Sequence, residues 1–184
     1  MVTPTEGKDV VTLGGGCFWC IEAFFDALEG VEDAESGYSG GRVENPSYQQ
    51  VCTGTTGHAE VVQVTFDPRI ISFREILEVF FTMHDPTTLN RQGADTGTQY
   101  RSVIFYRSPE QKAVAEEVVR EIGNAQVWEA PIVTEIVPFK AFYKAEDYHQ
   151  EYYKLNPGQG YCRVVIDPKM EKLREHFRKK LKRK

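Results

Sequence analysis

The stretch from Thr12 to Phe25, TLGGGCFWCIEAFF, restricts the fold more than any other part of the chain. The run DVVTL, Asp9 to Leu13, reads as a short buried strand. Gly14, Gly15 and Gly16 then let the backbone turn sharply and keep Cβ bulk away from the thiol of Cys17. FWCIEAFFDALEG, Phe18 to Gly30, continues as a helix stopped by its terminal glycine. A strand, a tight turn and a helix therefore meet at a cysteine. Unpaired N–H groups and the positive end of the helix dipole are expected to lower the pKa of that cysteine and give a reactive thiolate. A buried structural cysteine is the plain alternative.

The rest of the chain alternates strands and helices unevenly. Val31–Gly41 reads as a strand running into a glycine-rich loop, and His58–Pro68 as an alternating, β-branched strand. Ser72–His84 opens with a capping box, Ser72 and Glu75, and presents Ile76, Leu77, Phe80 and Phe81 on one face. Pro86–Tyr100 is a long polar loop, of a length that points to function or disorder. Arg101–Tyr106 reads as a strand, and Ser108–Gly123 as a helix with Ser108 at the N-cap and Pro109 at N1. A strand over Pro131–Pro138, a helix over Ala145–Gly158, a strand over Cys162–Asp167 and a last helix complete the pattern. No repeat or linker interrupts it. The expected fold is α+β: a single domain over residues 1–184, with a mixed β-sheet flanked by helices.

Composition excludes several classes. The chain has 184 residues, 41% of them hydrophobic, enough for a sizeable core. A net charge of −5 gives no reason to expect a nucleic-acid partner. The basic tail from His176 to Lys184 reads as a solvated helix end, or less simply as an anion patch. No apolar run suggests a signal peptide or a membrane span, so the cytoplasm is the expected compartment. In a reducing compartment, four cysteines point to catalysis, redox work or metal rather than a disulfide scaffold.

Several residues around this thiol carry chemistry. Phe18 and Trp19 are either core or the apolar wall of a pocket for a small alkyl group. Cys20 completes a CxxC and is open to three readings: a redox partner, half of a zinc site with Cys52 and Cys162, or coincidence. His58 and Glu60 would share a face of their strand, as metal ligands or as a surface-facing pair. Tyr38, Tyr48 and Tyr100 lie in loops and, with an acid such as Glu60, could bind a polar oxygen.

GGGCFWC, GYSGG (Gly37–Gly41), YQQVCTGTTGHAE (Tyr48–Glu60), HDPTTLNRQGADTGTQYRS (His84–Ser102) and YHQEYY (Tyr148–Tyr153) occur in this order over most of the chain. Together they resemble the A-type peptide-methionine sulfoxide reductases, which return one sulfoxide epimer to methionine. The resemblance implies a ferredoxin-like core with extensions. It also implies that Cys17 attacks the sulfoxide sulfur and Glu60 protonates the leaving oxygen. Tyr48 and Tyr100 then bind that oxygen, Asp95 supports the polar side of the site, and Phe18 and Trp19 hold the methyl group. It implies no metal or organic cofactor, electrons from thioredoxin, and substrates both protein-bound and free; a monomer is the expected state. Many members have glycine at the position of Cys20, and a tail cysteine like Cys162 resolves the sulfenic acid in several. Cys162, approached through Gly158 and Gly160, is the favoured resolver here and Cys20 the alternative. A general CxxC thiol–disulfide oxidoreductase is the second reading of function.

Overall fold

A computed structural model describes residues 7–183. The expected single domain and the reading of a leaderless N-terminus extend over residues 1–6, and the basic tail over Lys184; these lie outside the described residues. The sheet is six-stranded and mixed, in the order β7-β6-β1-β3-β2-β8. Its centre is β1 (Asp9–Gly14), β2 (Val31–Ser39), β3 (Ala59–Phe66) and β6 (Val103–Tyr106). With α1 (Phe18–Asp26) between β1 and β2, and α3 (Phe73–Met83) between β3 and β6, the order is β-α-β-β-α-β. That is the ferredoxin-like core. The outer strands β7 (Glu135–Pro138) and β8 (Phe142–Lys144) extend it, β7 pairing parallel to β6 and every other neighbour antiparallel.

Alternation along the central strands decides what each face meets. Val62, Val64 and Phe66 of β3 join Val11 and Leu13 of β1 in the main core beneath α1 and α3. Ala59 and Val61 of β3 face the other way and pack with Val103 and Phe105 in a smaller cluster. Glu60 falls in the first set by register. A carboxyl group is therefore aimed into the helix-covered side of the sheet, opposite Tyr38 on β2. Ser72 and Glu75 form the expected capping box on α3, and Ser108 caps α4 (Pro109–Asn124).

The structure corrects several expectations. The polar loop is not structureless: β4 (Arg91–Gln92) and β5 (Asp95–Thr96) pair as a small hairpin before a 3₁₀ turn at Thr98–Tyr100. A short helix, α2 (Tyr48–Cys52), went unread although Ser47 and Gln50 make a second capping box. The helix expected over 145–158 is broken into a 3₁₀ turn at Asp147–His149 and one turn of helix, α5 (Tyr152–Leu155); Glu151 between them has a left-handed φ of 51°. Cys162–Ile166 is no strand. It winds as a π-helix directly into α6 (Asp167–Phe177), because side-chain contacts to distant residues override its β-branched composition. Nor is the basic tail a free helix end. Leu181 bridges Leu28, and Lys180 hydrogen-bonds Glu75 of α3.

Candidate active site

The turn after β1 is shaped by its neighbours. A Cβ on Gly15 would lie 2.9 Å from the ring of His84. Gly16 has φ of +102°, and a Cβ there would lie 2.7 Å from Gln92 of the small hairpin. Only glycine fits both the space and the backbone. His84 is held below the turn by the Phe80 carbonyl, to which Nδ1–H donates, and by Ser102, whose hydroxyl lies 2.8 Å from Nε2. Burial lowers its pKa to about 4, so the ring is neutral and serves as a support.

Cys17 is the N-cap of α1, but no side chain local to the helix caps it. The cap comes from the sheet instead. Phe18 N–H donates to Glu60 Oε1 at 3.1 Å, while Glu60 Oε2 is buried with no hydrogen-bond partner among the described residues. Loss of solvent pushes the Glu60 pKa up to about 8; the single N–H bond opposes the rise, and Asp95 and Cys20 add to it. The carboxyl is thus a neutral acid at pH 7. It is also far from the surface face that its pairing with His58 suggested. His58 is committed elsewhere, with Nδ1 accepting from Gly41 N–H and Nε2 donating to the Val43 carbonyl, so no ring nitrogen is left for a metal.

The expected lowered pKa of Cys17 is reversed. Its hydrogen bond to Cys20 raises it well above the ordinary value, and burial and nearby Glu60 add to the rise. The same bond lowers Cys20 to about 7, against burial and with help from Lys169 and Tyr161. The nucleophile therefore rests as a thiol, although the Trp19 N–H at the helix start opposes the rise. All four cysteines are free. Cys52 is exposed and Cys162 is fully buried, so the four do not converge on a zinc site. Among the described residues no group of His, Cys, Asp or Glu could hold a metal ion.

Tyr48 and Tyr100 have phenols raised above their usual range, first by burial, then for Tyr48 by its hydrogen bond to Cys52, and for both by charge neighbours that include Glu60. Asp95 is another neighbour of Tyr100 and of Glu60. Cys17, Tyr48, Tyr100 and Asp95 thus all lie within electrostatic reach of Glu60. The Tyr38 hydroxyl is committed elsewhere, donating to Glu146 at 2.9 Å. Phe18 is buried against Tyr38, Tyr48 and His149, and Trp19 lies flat on Tyr152 with ring centroids 3.7 Å apart.

The family model for peptide methionine sulfoxide reductase matches residues 9–181. The chain belongs to the peptide methionine sulfoxide reductase family. It is 55% identical over 179 residues to the peptide methionine sulfoxide reductase MsrA of Deinococcus radiodurans, covering 97% of this chain and 87% of that one. Methionine sulfoxide reductase A of Corynebacterium diphtheriae superposes with a TM-score of 0.81 at 38% identity, over 87% of this chain and 80% of that one. Yeast Mxr1, solved in complex with Trx2, matches with a TM-score of 0.56 at 26% identity, over 83% of this chain and 90% of that one.

Some groups of this reductase site escaped the sequence reading. Tyr161 places its hydroxyl 3.7 Å from Cys20 Sγ and donates to Asp95 Oδ2 at 2.8 Å. His149 accepts from Trp19 Nε1–H at 3.0 Å. Glu22 of α1 is buried, accepts the Glu151 N–H and has its pKa raised by burial to about 7. Only the adjacency of Tyr161 to Cys162 signalled the first. The other two depend on pairings more than 100 residues apart. Among the described residues no helix is long and apolar enough to cross a membrane.

Proposed function

We propose that this chain reduces the S-epimer of methionine sulfoxide, in proteins and as the free amino acid, with Cys17 as nucleophile and Glu60 as acid. The observation that carries this reading is the buried carboxyl of Glu60. It sits at the first turn of the helix that Cys17 caps, with one oxygen tied down and the other unpartnered. A sulfoxide oxygen leaves only when protonated, and Oε2 can supply the proton. The thiol proton of Cys17 restores Glu60, so both groups begin and end neutral: thiol plus sulfoxide becomes sulfenic acid plus sulfide. Tyr48 and Tyr100 are phenols able to donate to the oxygen. Phe18 and Trp19 offer the methyl group an apolar wall, and Asp95 anchors the polar side.

The second step makes a disulfide and water. Cys20 lies one turn up α1 from Cys17, its N–H on the Cys17 carbonyl at 3.1 Å, and takes the first step in this proposal, whereas Cys162 is buried in a π-turn and takes the disulfide next by thiol exchange. This reverses the preference for Cys162 as direct resolver. Thioredoxin then returns two electrons, a role supported by the solved complex of yeast Mxr1 with Trx2. Free thiols at all four positions suit the cytoplasm.

Stopped-turnover mass mapping tests the order. Cys162→Ser should reduce one sulfoxide and accumulate a Cys17–Cys20 disulfide, with thioredoxin turnover slowed. Cys20→Ser should lose that disulfide. Full thioredoxin turnover in Cys20→Ser would return the direct role to Cys162. A general thiol–disulfide oxidoreductase would have no use for Glu60, and undiminished sulfoxide reduction by Glu60→Gln would favour that reading.

A further inference from the structure

The side chains behind Cys20 form a file with one polarity. Cys20 sits one turn up α1 from Cys17, its N–H on the Cys17 carbonyl at 3.1 Å, Cys20 Sγ lies 3.7 Å from the Tyr161 hydroxyl, and that hydroxyl donates to Asp95 Oδ2 at 2.8 Å. A phenol has one hydrogen to give, and here it goes to Asp95. The phenolic oxygen is left to accept the Cys20 S–H, which turns that hydrogen away from Cys17 and leaves a sulfur lone pair facing it. Donors then run in one direction from Cys20 through Tyr161 to a carboxyl oxygen, an arrangement in which each bond strengthens the next.

The geometry points to Tyr161 as the proton relay of the resolving step, carrying the Cys20 proton to Asp95 as the disulfide closes. This rests on the reading of Cys20 as first resolver. As Cys20 sulfur attacks Cys17, the Cys20 S–H bond breaks, its proton moves to the Tyr161 oxygen, and the Tyr161 proton moves to Asp95. The S–S bond forms as the Cys17 S–O bond breaks, and the hydroxide leaves with the Glu60 proton as water. The sum is sulfenic acid plus thiol to disulfide plus water, with Asp95 and Glu60 re-equilibrating through solvent. No external oxidant is needed. Lys169 of α6 lends a positive field to the departing proton's sulfur. Because Tyr161 precedes Cys162, the relay exists only while that segment is docked, which makes Cys20 act before Cys162 moves.

Tyr161→Phe keeps the ring, which meets Trp19 edge-on at 5.7 Å, and removes only the hydroxyl. Cys17 of the full, substrate-free chain is oxidised to the sulfenic acid with one equivalent of hydrogen peroxide, and dimedone trapping and intact mass follow both steps. Sulfenic acid should form at the parental rate and persist, with disulfide closure slowed about tenfold or more and a smaller solvent isotope effect on closure. Asp95→Asn should reproduce the slowing. Closure at the parental rate in Tyr161→Phe, with Cys20→Ser blocking it, would overturn the relay alone. Parental closure in Cys20→Ser would overturn the resolver assignment and the relay with it.

Discussion

The strand–turn–helix that carries Cys17 and the segment from 145 to 166 that covers it are held by different forces. The first is fixed by backbone ladders. Leu13 pairs with Val62, Gly14 with Val103, and Tyr38 with Glu60, so the position of the acid follows from register. The second is held by side chains from elsewhere. Gln150 accepts from Ser36 N–H and donates to the Ser36 and Ala145 carbonyls. Glu22 takes the Glu151 N–H, and Trp19 stacks on Tyr152. Ladders open only with the sheet, whereas a few side-chain contacts can be exchanged within a folded molecule. The difference suits the proposed cycle, in which Cys17 and Glu60 stay in place and the cysteine of the second region travels.

Breaking the ladder-held half should have the largest effect. Cys17→Ser should reduce methionine S-sulfoxide only at the uncatalysed background, even with excess dithiothreitol; measurable turnover would remove Cys17 from its role. Glu60→Gln follows, with a loss of about 10² or more in single-turnover sulfoxide reduction. The parental rate of that step should fall as pH rises through about 8, where the acid form is lost, and this limb should vanish in Glu60→Gln. Linkage gives a stability signature of the same sign. The folded pKa values of Glu60 and Glu22, about 8 and about 7, lie above the ordinary 4.5. Between these limits the folded chain holds more protons than the unfolded one, so this contribution is complete below pH 4.5 and lost as pH rises to about 8. Urea titrations across that range should show a decline that is flatter in Glu60→Gln.

The side-chain-held half should respond more gently. Tyr152→Leu removes an aromatic pair worth about 0.5–1.5 kcal/mol. Amide exchange over residues 152–166 should accelerate about twofold to tenfold while β1 and β3 keep their protection, and equal acceleration in the sheet would erase the distinction between the regions. Smallest is Glu151→Gly. Relief of the left-handed backbone outweighs the entropy of glycine by about 0.5–1 kcal/mol, read as a higher denaturation midpoint.

The ladder-held half was legible because local signals and tertiary structure agree there. The glycines, the strand before them and the helix after them occupy neighbouring positions, and Ser72 with Glu75 announces α3 within four residues. The covering half misled. AEDYHQEYYKLNPG contains ordinary helix formers, yet Glu22, Trp19 and Ser36 each claim a group in it and break the helix at Glu151. CRVVID has strand composition, but Cys162 and Ile166 are drawn into the core beneath α6. Three-residue β8 and five-residue α2 were too short to show a period.

By itself the sequence supplied the candidates for the chemistry: a cysteine behind a glycine turn, an acid on a strand, tyrosines and an aspartate outside the predicted helices, and spare thiols. Only the tertiary structure decided their protonation and pairing. Glu60 in water would be a carboxylate at neutral pH; under Phe18 and α1 it keeps its proton. Cys17, read as a thiolate from its helix position, rests as a thiol because the bond to Cys20 and burial outweigh the Trp19 N–H at the helix start. Desolvation and hydrogen-bond competition depend on what the fold brings within a few ångströms, and here those partners come from β1, β3, the small hairpin and the C-terminal segment at once.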